Sequence, residues 1–371
     1  MLWLDGKFDY TPNPVARILY GCGRMAELPD VLKFLGRTRA LLVTSPSLRR
    51  SGLMQRVETI LGKSLAGIFD STRPHSPVEA VQDANKLCKE VAADVVISLG
   101  GGSCIDTTKG LLHFRHEDRG DHLPHIAIPT TLSGAEFTKA AGITHGALKK
   151  VYIGDHMIPS VVVLDPEAAI MTPPSLFLPS GLNAIHHCVE GVCSIRANGI
   201  SDAMHLHAIR LLRMALPQIR QYPDNLQARG LAQVGGALAV LASYGVPMGI
   251  GHALAHAICG KCKTPHAITH AILIAPVMEF NREVVLPAQV AIAEALGVPA
   301  EGEPVRIVQE GIDRIRQLLV NLEIPTRLSE LGVQDVDLKE IAQATMDQPF
   351  FSTNPKPATL EDLVAVIRAA L

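Results

Sequence analysis

Eight of the 15 histidines in the chain fall between residues 186 and 270: His186, His187, His205, His207, His252, His256, His266 and His270. Histidine changes charge near neutral pH, and its neutral ring is a metal ligand. A cluster of them can therefore move protons, bind an anion or hold a cation. On a helix, residues four apart share a face. That spacing pairs Asn183 with His187 and His252 with His256, and it pairs His266 with His270 if their segment is helical. Three such pairs gathered by a helical bundle could surround one metal ion or one substrate anion. Each pair alone is also compatible with histidines satisfied in a core or at a surface. The occurrence of all three in one apolar region points to a site. His205 and His207 are expected on a different, solvated face.

A second source of chemistry lies earlier, where Asp94-Val95-Val96-Ile97-Ser98-Leu99 runs into Gly100-Gly101-Gly102-Ser103 and then helix-compatible Ile105 to Leu111. Glycines let the backbone approach an anion closely, and a following helix offers free N–H groups and a positive dipole end. A pyrophosphate could sit there, although the G-x-G-x-x-G pattern is absent and an ordinary strand-to-helix turn reads the same way. Asp106 and Lys109 share a helical face and could form a surface pair. Pro129-Thr130-Thr131-Leu132-Ser133-Gly134 supplies hydroxyls after another strand. Two polar loops at the carboxyl ends of strands support each other as a nucleotide site. Cys259-Gly260-Lys261-Cys262 is a C-x-x-C that could be redox-active or half of a zinc site, but no second C-x-x-C accompanies it.

These residues need elements to position them. Short β-rich runs at Ala40 to Thr44, Val95 to Leu99, His125 to Ile128 and Val161 to Leu164 each end in a turn signal. Val78, Val81, Ala84, Leu87 and Val91 mark one face of a crossover helix between the first two of those runs. After Asp165-Pro166, Ala/Leu-rich periodicity takes over in Ala203 to Ile219, Leu231 to Tyr244 and Pro287 to Leu296. The expected fold is α/β plus all-α, with a Rossmann-like dinucleotide-binding domain over 1–162 and a helical domain over 163–371.

A chain of 371 residues with 47% hydrophobic content can fill two cores. Its net charge of −2, without a basic cluster, argues against a nucleic-acid partner. Residues Gly230 to Gly260 carry no Asp, Glu, Lys or Arg, but Gln233, Pro247, His252, His256 and scattered glycines favour a buried helix pair over a membrane span. Seven cysteines and an amino terminus without signal-peptide character lead us to expect a reducing compartment, the cytoplasm.

Gly100-Gly101-Gly102-Ser103-x-x-Asp106-x-x-Lys109, Pro129-Thr130-Thr131, His252-x-x-x-His256, Pro265-His266, Asp165-Pro166-Glu167, Ser201-Asp202-Ala203 and Asn354-Pro355 resemble, in order, the iron-type alcohol dehydrogenase family. The resemblance implies the dehydroquinate synthase-like, iron alcohol dehydrogenase fold, NAD(P)H as cofactor and catalysis in the cleft between two domains. On this basis the cofactor site comprises Ser45, Gly101, Gly102, Ser103, Asp106, Thr130, Thr131, Ser133 and Lys149. The catalytic residues are His256, beside the nicotinamide, with His187, His252 and His270. The family's divalent metal, iron or zinc, takes an Asp and three His. Those positions are Asn183, His187, His252 and His266 here, and the neutral amide of Asn183 weakens the site.

The run Ser180-Gly181-Leu182-Asn183-Ala184-Ile185-x-His187-x-Val189-Glu190 and the segment Pro265-His266-Ala267-x-Thr269-His270 resemble the maleylacetate reductase branch, which implies catalysis without the metal. His186 matches neither pattern. A small oxo acid, aldehyde or alcohol is the expected partner, bound by a homodimer, with protonated histidines able to hold carboxylates. Ser45 stands where the family often has an Asp, so NADPH should be tolerated. The alternatives are a metal-dependent alcohol dehydrogenase, a dehydroquinate synthase-like lyase and a non-catalytic nucleotide binder.

Overall fold

The structure, a computed structural model, describes residue 8, residues 10–146 and residues 148–371, without the side chains of Arg119 and Lys149. The amino-terminal segment considered for targeting and the Lys149 side chain lie outside that set. The chain forms two compact units: 13–173 with 223–233, and 174–222 with 234–371.

Among the described residues the first unit is built on eight strands: β1 (Arg17–Tyr20), β2 (Ala40–Val43), β3 (Leu65–Phe69), β4 (Val95–Gly100), β5 (His125–Pro129), β6 (Ala140–His145), β7 (Leu148–Ile153) and β8 (Val161–Leu164). Six form a parallel sheet in the order β1-β8-β5-β4-β2-β3, and β6 and β7 pair as an antiparallel hairpin. The central strands are buried along their whole length, as the uninterrupted apolar runs require when helices cover both faces. The helices here are α1 (Leu28–Phe34), α2 (Pro46–Arg49), α3 (Gly52–Leu61), α4 (Val78–Glu90), α5 (Gly102–Arg119) and α6 (Pro166–Ala169). The chain steps from β2 outward to β3 and returns through α4 to β4 on the other side of β2. The order therefore reverses between β2 and β4, where open sheets of this type bind ligands.

All four expected strands form, but α4 joins β3 to β4, because Leu65–Phe69 is a strand that the sequence reading passed over. Gly67 interrupts its apolar run, and a Cβ there would stand 3.0 Å from Val91. The strand thus gives up a side chain for close approach of the helix end. The boundary expected after residue 162 falls inside β8.

The second unit is helical: α7 (Pro174–Val192), α8 (Gly199–Gln221), α9 (Leu226–Ala242, whose first turns belong to the sheet unit), α10 (Ile250–Cys262), α11 (His266–Ala295), α12 (Pro304–Asn321), α13 (Leu338–Met346) and α14 (Leu360–Ala370). α11 kinks at Val285, two residues before Pro287, whose missing N–H breaks the helical ladder. The uncharged stretch becomes α9, a turn and α10. Among the described residues no helix is long and apolar enough to cross a membrane.

Candidate active site

In the sheet unit, β4 delivers Gly100-Gly101-Gly102 to the amino end of α5, with Gly101 as its N-cap. The β5 loop crosses over it. The Thr130 N–H donates to the Gly100 carbonyl at 3.0 Å, and a Cβ on Gly101 or Gly102 would stand 3.0 Å from Thr131 Cγ2 or 3.2 Å from Ser133 Oγ. The hydroxyl of Ser133 is buried and finds no partner. Ser76 donates to the carbonyl of Ser103 at 3.1 Å. The expected residues Gly101, Gly102, Ser103, Thr130, Thr131 and Ser133 therefore surround one helix amino terminus, an anion-binding arrangement. Ser45, after β2, accepts from Leu48 N as the N-cap of α2.

Asp106 and Lys109 do not form a surface pair. Lys109 is fully buried, and its ammonium donates to the carbonyls of Ala135, Thr138 (2.6 Å) and Ala140 (3.1 Å) and to Thr138 Oγ1 (2.9 Å). Burial pulls its pKa down to about 8. Asp106 accepts from Gly142 N at 3.2 Å. The same helical face turns inward, because both side chains pin α5 to the chain that follows β5. The buried ammonium finds its oxygen partners there, and the nearby carboxylates of Asp106 and Glu136 favour its charge.

In the helical unit, α7, α10 and the start of α11 bring six histidines together. Ring centroids lie 4.3 Å apart for His187 and His252, 4.4 Å for His252 and His270, and 4.3 Å for His266 and His270. His256 lies 5.7 Å from His266, and His186 lies 5.1 Å from His270. His187 and His252 approach through their Nε2 atoms at 3.3 Å. Among the described residues, imidazole nitrogens converge within 4.8 Å in two triads, His186/His252/His270 and His256/His266/His270. The expected ligand set His187, His252 and His266 is not one of them. His256 is half-buried and His266 exposed.

Burial holds the inner rings neutral: it pushes His186 down to about 3 and places His187, His252 and His270 well below the usual histidine value. Without a bound anion these four positions favour the neutral ring. His205 also departs from expectation. It is buried, with Nε2 3.2 Å from Ser243 Oγ, while His207 is exposed. Two residues apart on α8, they point in nearly opposite directions and could not share a solvated face. Cys259 and Cys262 are not joined in a disulfide. Cys259 Sγ lies 3.9 Å from His266 Nδ1.

Two participants were missed. Glu190, one turn after His186 on α7, is buried and accepts from Gly251 N (2.7 Å), His252 N (3.1 Å) and His252 Nδ1. Its i+4 spacing from His186 was a usable signal. Phe350 packs against His252 and His256, with centroids 6.2 and 5.8 Å away. No local pattern announced it. Asn354 accepts from Ile250 N at 3.2 Å, which caps the start of α10 and places His252.

The donor set suits a divalent ion in kind. Asn183 Oδ1 is buried without a partner, and Glu190 on Nδ1 of His252 leaves its Nε2 as a ligand atom. All the donors are neutral, however, so the site attracts a cation less than one with a carboxylate.

The sequence matches the descriptions "Iron-containing alcohol dehydrogenase" over residues 14–166 and "Fe-containing alcohol dehydrogenase family, C-terminal" over 177–371. It is 32% identical to a maleylacetate reductase of Pseudomonas sp. (strain P51), over 95% of each chain. The structure resembles maleylacetate reductase from Rhizobium sp. strain MTP-10005, at 30% identity, TM-score 0.87 and 98% of both chains. It also resembles a 1,3-propanediol oxidoreductase, at 27% identity and TM-score 0.92 over 99% of this chain and 100% of that one. The chain belongs to the iron-containing alcohol dehydrogenase family and is an NAD(P)-dependent oxidoreductase.

Proposed function

We propose that the chain reduces maleylacetate to 3-oxoadipate with NAD(P)H. The sheet unit serves as the nucleotide-binding domain and the helical unit as the catalytic one. The observation that carries this reading is the near-full-length similarity to maleylacetate reductases. The amide Asn183 in the run Ser180 to Glu190 supports it. Gly101, Gly102 and the α5 amino terminus cradle the pyrophosphate. Ser103, Asp106, Thr130, Thr131, Ser133 and Lys149 complete the cofactor site, and neutral Ser45 admits NADPH.

Hydride delivered to the carbon–carbon double bond conjugated with the oxo group leaves enolate charge on the oxygen and requires a proton at the neighbouring carbon. His256 stands beside the nicotinamide and hands over that proton. The neutral rings of His187, His252 and His270 line the substrate site, where an N–H that faces the oxo oxygen donates to it and a bare nitrogen accepts from a substrate or water O–H. A divalent ion held by Asn183, His187, His252 and His266 would act as a Lewis acid on the same oxygen. The convergence of neutral nitrogens favours a second reading, a metal-dependent alcohol dehydrogenase. A homodimer in the cytoplasm accompanies the first reading, and a monomeric mass in sedimentation would count against it.

The deciding experiment follows loss of absorbance at 340 nm with NADH and NADPH against maleylacetate, short aldehydes and alcohols, with and without chelator. Turnover of maleylacetate in chelator is expected with both cofactors. Activity confined to aldehydes or alcohols and abolished by chelation would establish the second reading instead.

A further inference from the structure

We infer that His186 is a positioning residue: together with Glu190 it holds the proton of His270 on Nδ1 and leaves Nε2 of His270 as a lone pair among the rings of the cluster. The starting observation is a 2.9 Å contact between Nδ1 of His186 and Nδ1 of His270, both fully buried. Two neutral imidazoles can approach this way only if one carries its proton on Nδ1 and the other presents a lone pair there. Two arrangements satisfy that condition, and they leave opposite faces of His270 turned to the site.

Glu190 selects between them. Its carboxylate receives the N–H groups of Gly251 and His252 and the Nδ1 of His252, and its Oε2 lies 3.9 Å from Nε2 of His186. That last separation is too long for a hydrogen bond. Burial raises the pKa of Glu190, but its N–H donors favour the ionised form, and a negative oxygen at this range favours the proton on the facing nitrogen. His186 then carries Nε2–H, its Nδ1 accepts, and His270 donates. One buried carboxylate thus fixes two imidazoles in the same tautomer, His252 directly and His270 through His186. Space has been made for this arrangement at Gly251, where a Cβ would stand 2.3 Å from His186 Nε2 and 2.8 Å from Glu190 Oε1. Among the described residues neither Nε2 of His270 nor Nε2 of His186 has a hydrogen-bond partner, so the choice between the two arrangements rests on Glu190, which faces only the His186 nitrogen.

Only the kinetic consequence rests on the histidine cluster being the catalytic site. The tautomer is a property of the protein without substrate, so the two can fail separately. Long-range proton–nitrogen correlation spectra of 15N-histidine-labelled protein, with His270 assigned by its loss in His270→Gln, report which nitrogen is protonated. The unmodified protein should show His270 as the Nδ1–H form, a result that needs no variant at position 186. In His186→Leu the Nε2–H form should gain, and kcat should fall roughly ten- to hundredfold with KM moving less than about threefold. His186→Asn places an amide oxygen where Nδ1 stood, and should restore both the tautomer and kcat to within roughly threefold. The inference is overturned if His270 is Nε2–H in the unmodified protein, or if its tautomer ignores the Leu substitution. It is also overturned if Asn and Leu depress kcat equally. Added cobalt(II) that produced a visible absorption band while erasing the Nδ1–H signal would overturn it as well, by making the two nitrogens ligands of one ion.

Discussion

At residue 183 an amide stands where the family resemblance implies a carboxylate ligand, and the consequence for the proposed metal position is electrostatic. Asn183, His187, His252 and His266 contribute no negative charge between them. The buried carboxylate that touches His252, Glu190, is already engaged by two backbone N–H groups and that ring. Ion affinity in such a site depends on ligand charge as well as geometry. The expected outcome is that purified protein carries clearly less than one equivalent of iron or zinc by elemental analysis, and that Asn183→Asp raises the occupancy several-fold. A tightly held stoichiometric ion in the unmodified protein, lost with activity on chelation, would reverse this conclusion. Individual side chains were legible to different degrees. The pairs His187/Asn183, His252/His256 and His266/His270 could be read from spacing, because i, i+4 neighbours share a face whatever the tertiary context. His186 and Glu190 lie in the same run of α7, yet their partners come from α10 and α11, so only the packed structure reveals what they do. His205 was misplaced for a related reason: an isolated histidine on α8 carries no sign of which face is covered.

Among the elements, the strand–glycine–helix passage from β4 to α5 carries the cofactor argument, and its three glycines do different work. Gly100 has φ of 150°, and a Cβ there would lie 2.4 Å from Cys104 Sγ and 3.0 Å from Cys104 Cβ. Gly101 has φ of −79°, where a side chain is conformationally tolerable but would press on Thr131 in the second polar loop. Gly100→Ala should therefore cost about 2–3 kcal/mol of stability. Gly101→Val should leave the unfolding free energy within about 1 kcal/mol of the original but abolish nucleotide binding. Urea titration and NADPH fluorescence titration measure the two effects separately. Unchanged NADPH affinity in folded Gly101→Val would remove this loop from the cofactor site. The elements themselves were readable where apolar runs are long and end in turn residues, as at Val95 to Leu99. They were lost where a glycine breaks the run, as at Gly67 in β3, or where pairing is local and half exposed, as in the β6–β7 hairpin.

Over the whole molecule, chain order and unit order differ. Residues 223–233 group with the sheet unit although they follow two long helices of the other unit. Sequence periodicity reads Leu231 to Tyr244 as one helix and offers no sign of this return, because the segment is held by buried polar contacts of Arg229 and Gln233 and close packing at Gly230, not by hydrophobic pattern. Arg229, 1% exposed, donates from Nη1 to the carbonyls of Ala169 (3.1 Å) and Thr172 (2.9 Å), and from Nε to that of Pro223 (3.1 Å). These contacts tie the segment to the end of α6 and close the polar groups left after β8. Arg229→Leu would keep most of the packing volume while removing all three hydrogen bonds, although the Ala169 carbonyl still accepts from Thr172 N at 3.1 Å; this should destabilise the sheet unit by on the order of 3 kcal/mol. Buried cysteines report on each unit: Cys88 and Cys104 for the sheet, Cys188 and Cys193 for the helices. In urea-dependent thiol labelling read by peptide mass spectrometry, the variant should expose Cys88 and Cys104 at clearly lower urea. Cys188 and Cys193 would follow them if the units unfold together and lag behind if each unfolds alone. If labelling of Cys88 and Cys104 did not move, the assignment of 223–233 to the sheet unit through Arg229 would be wrong.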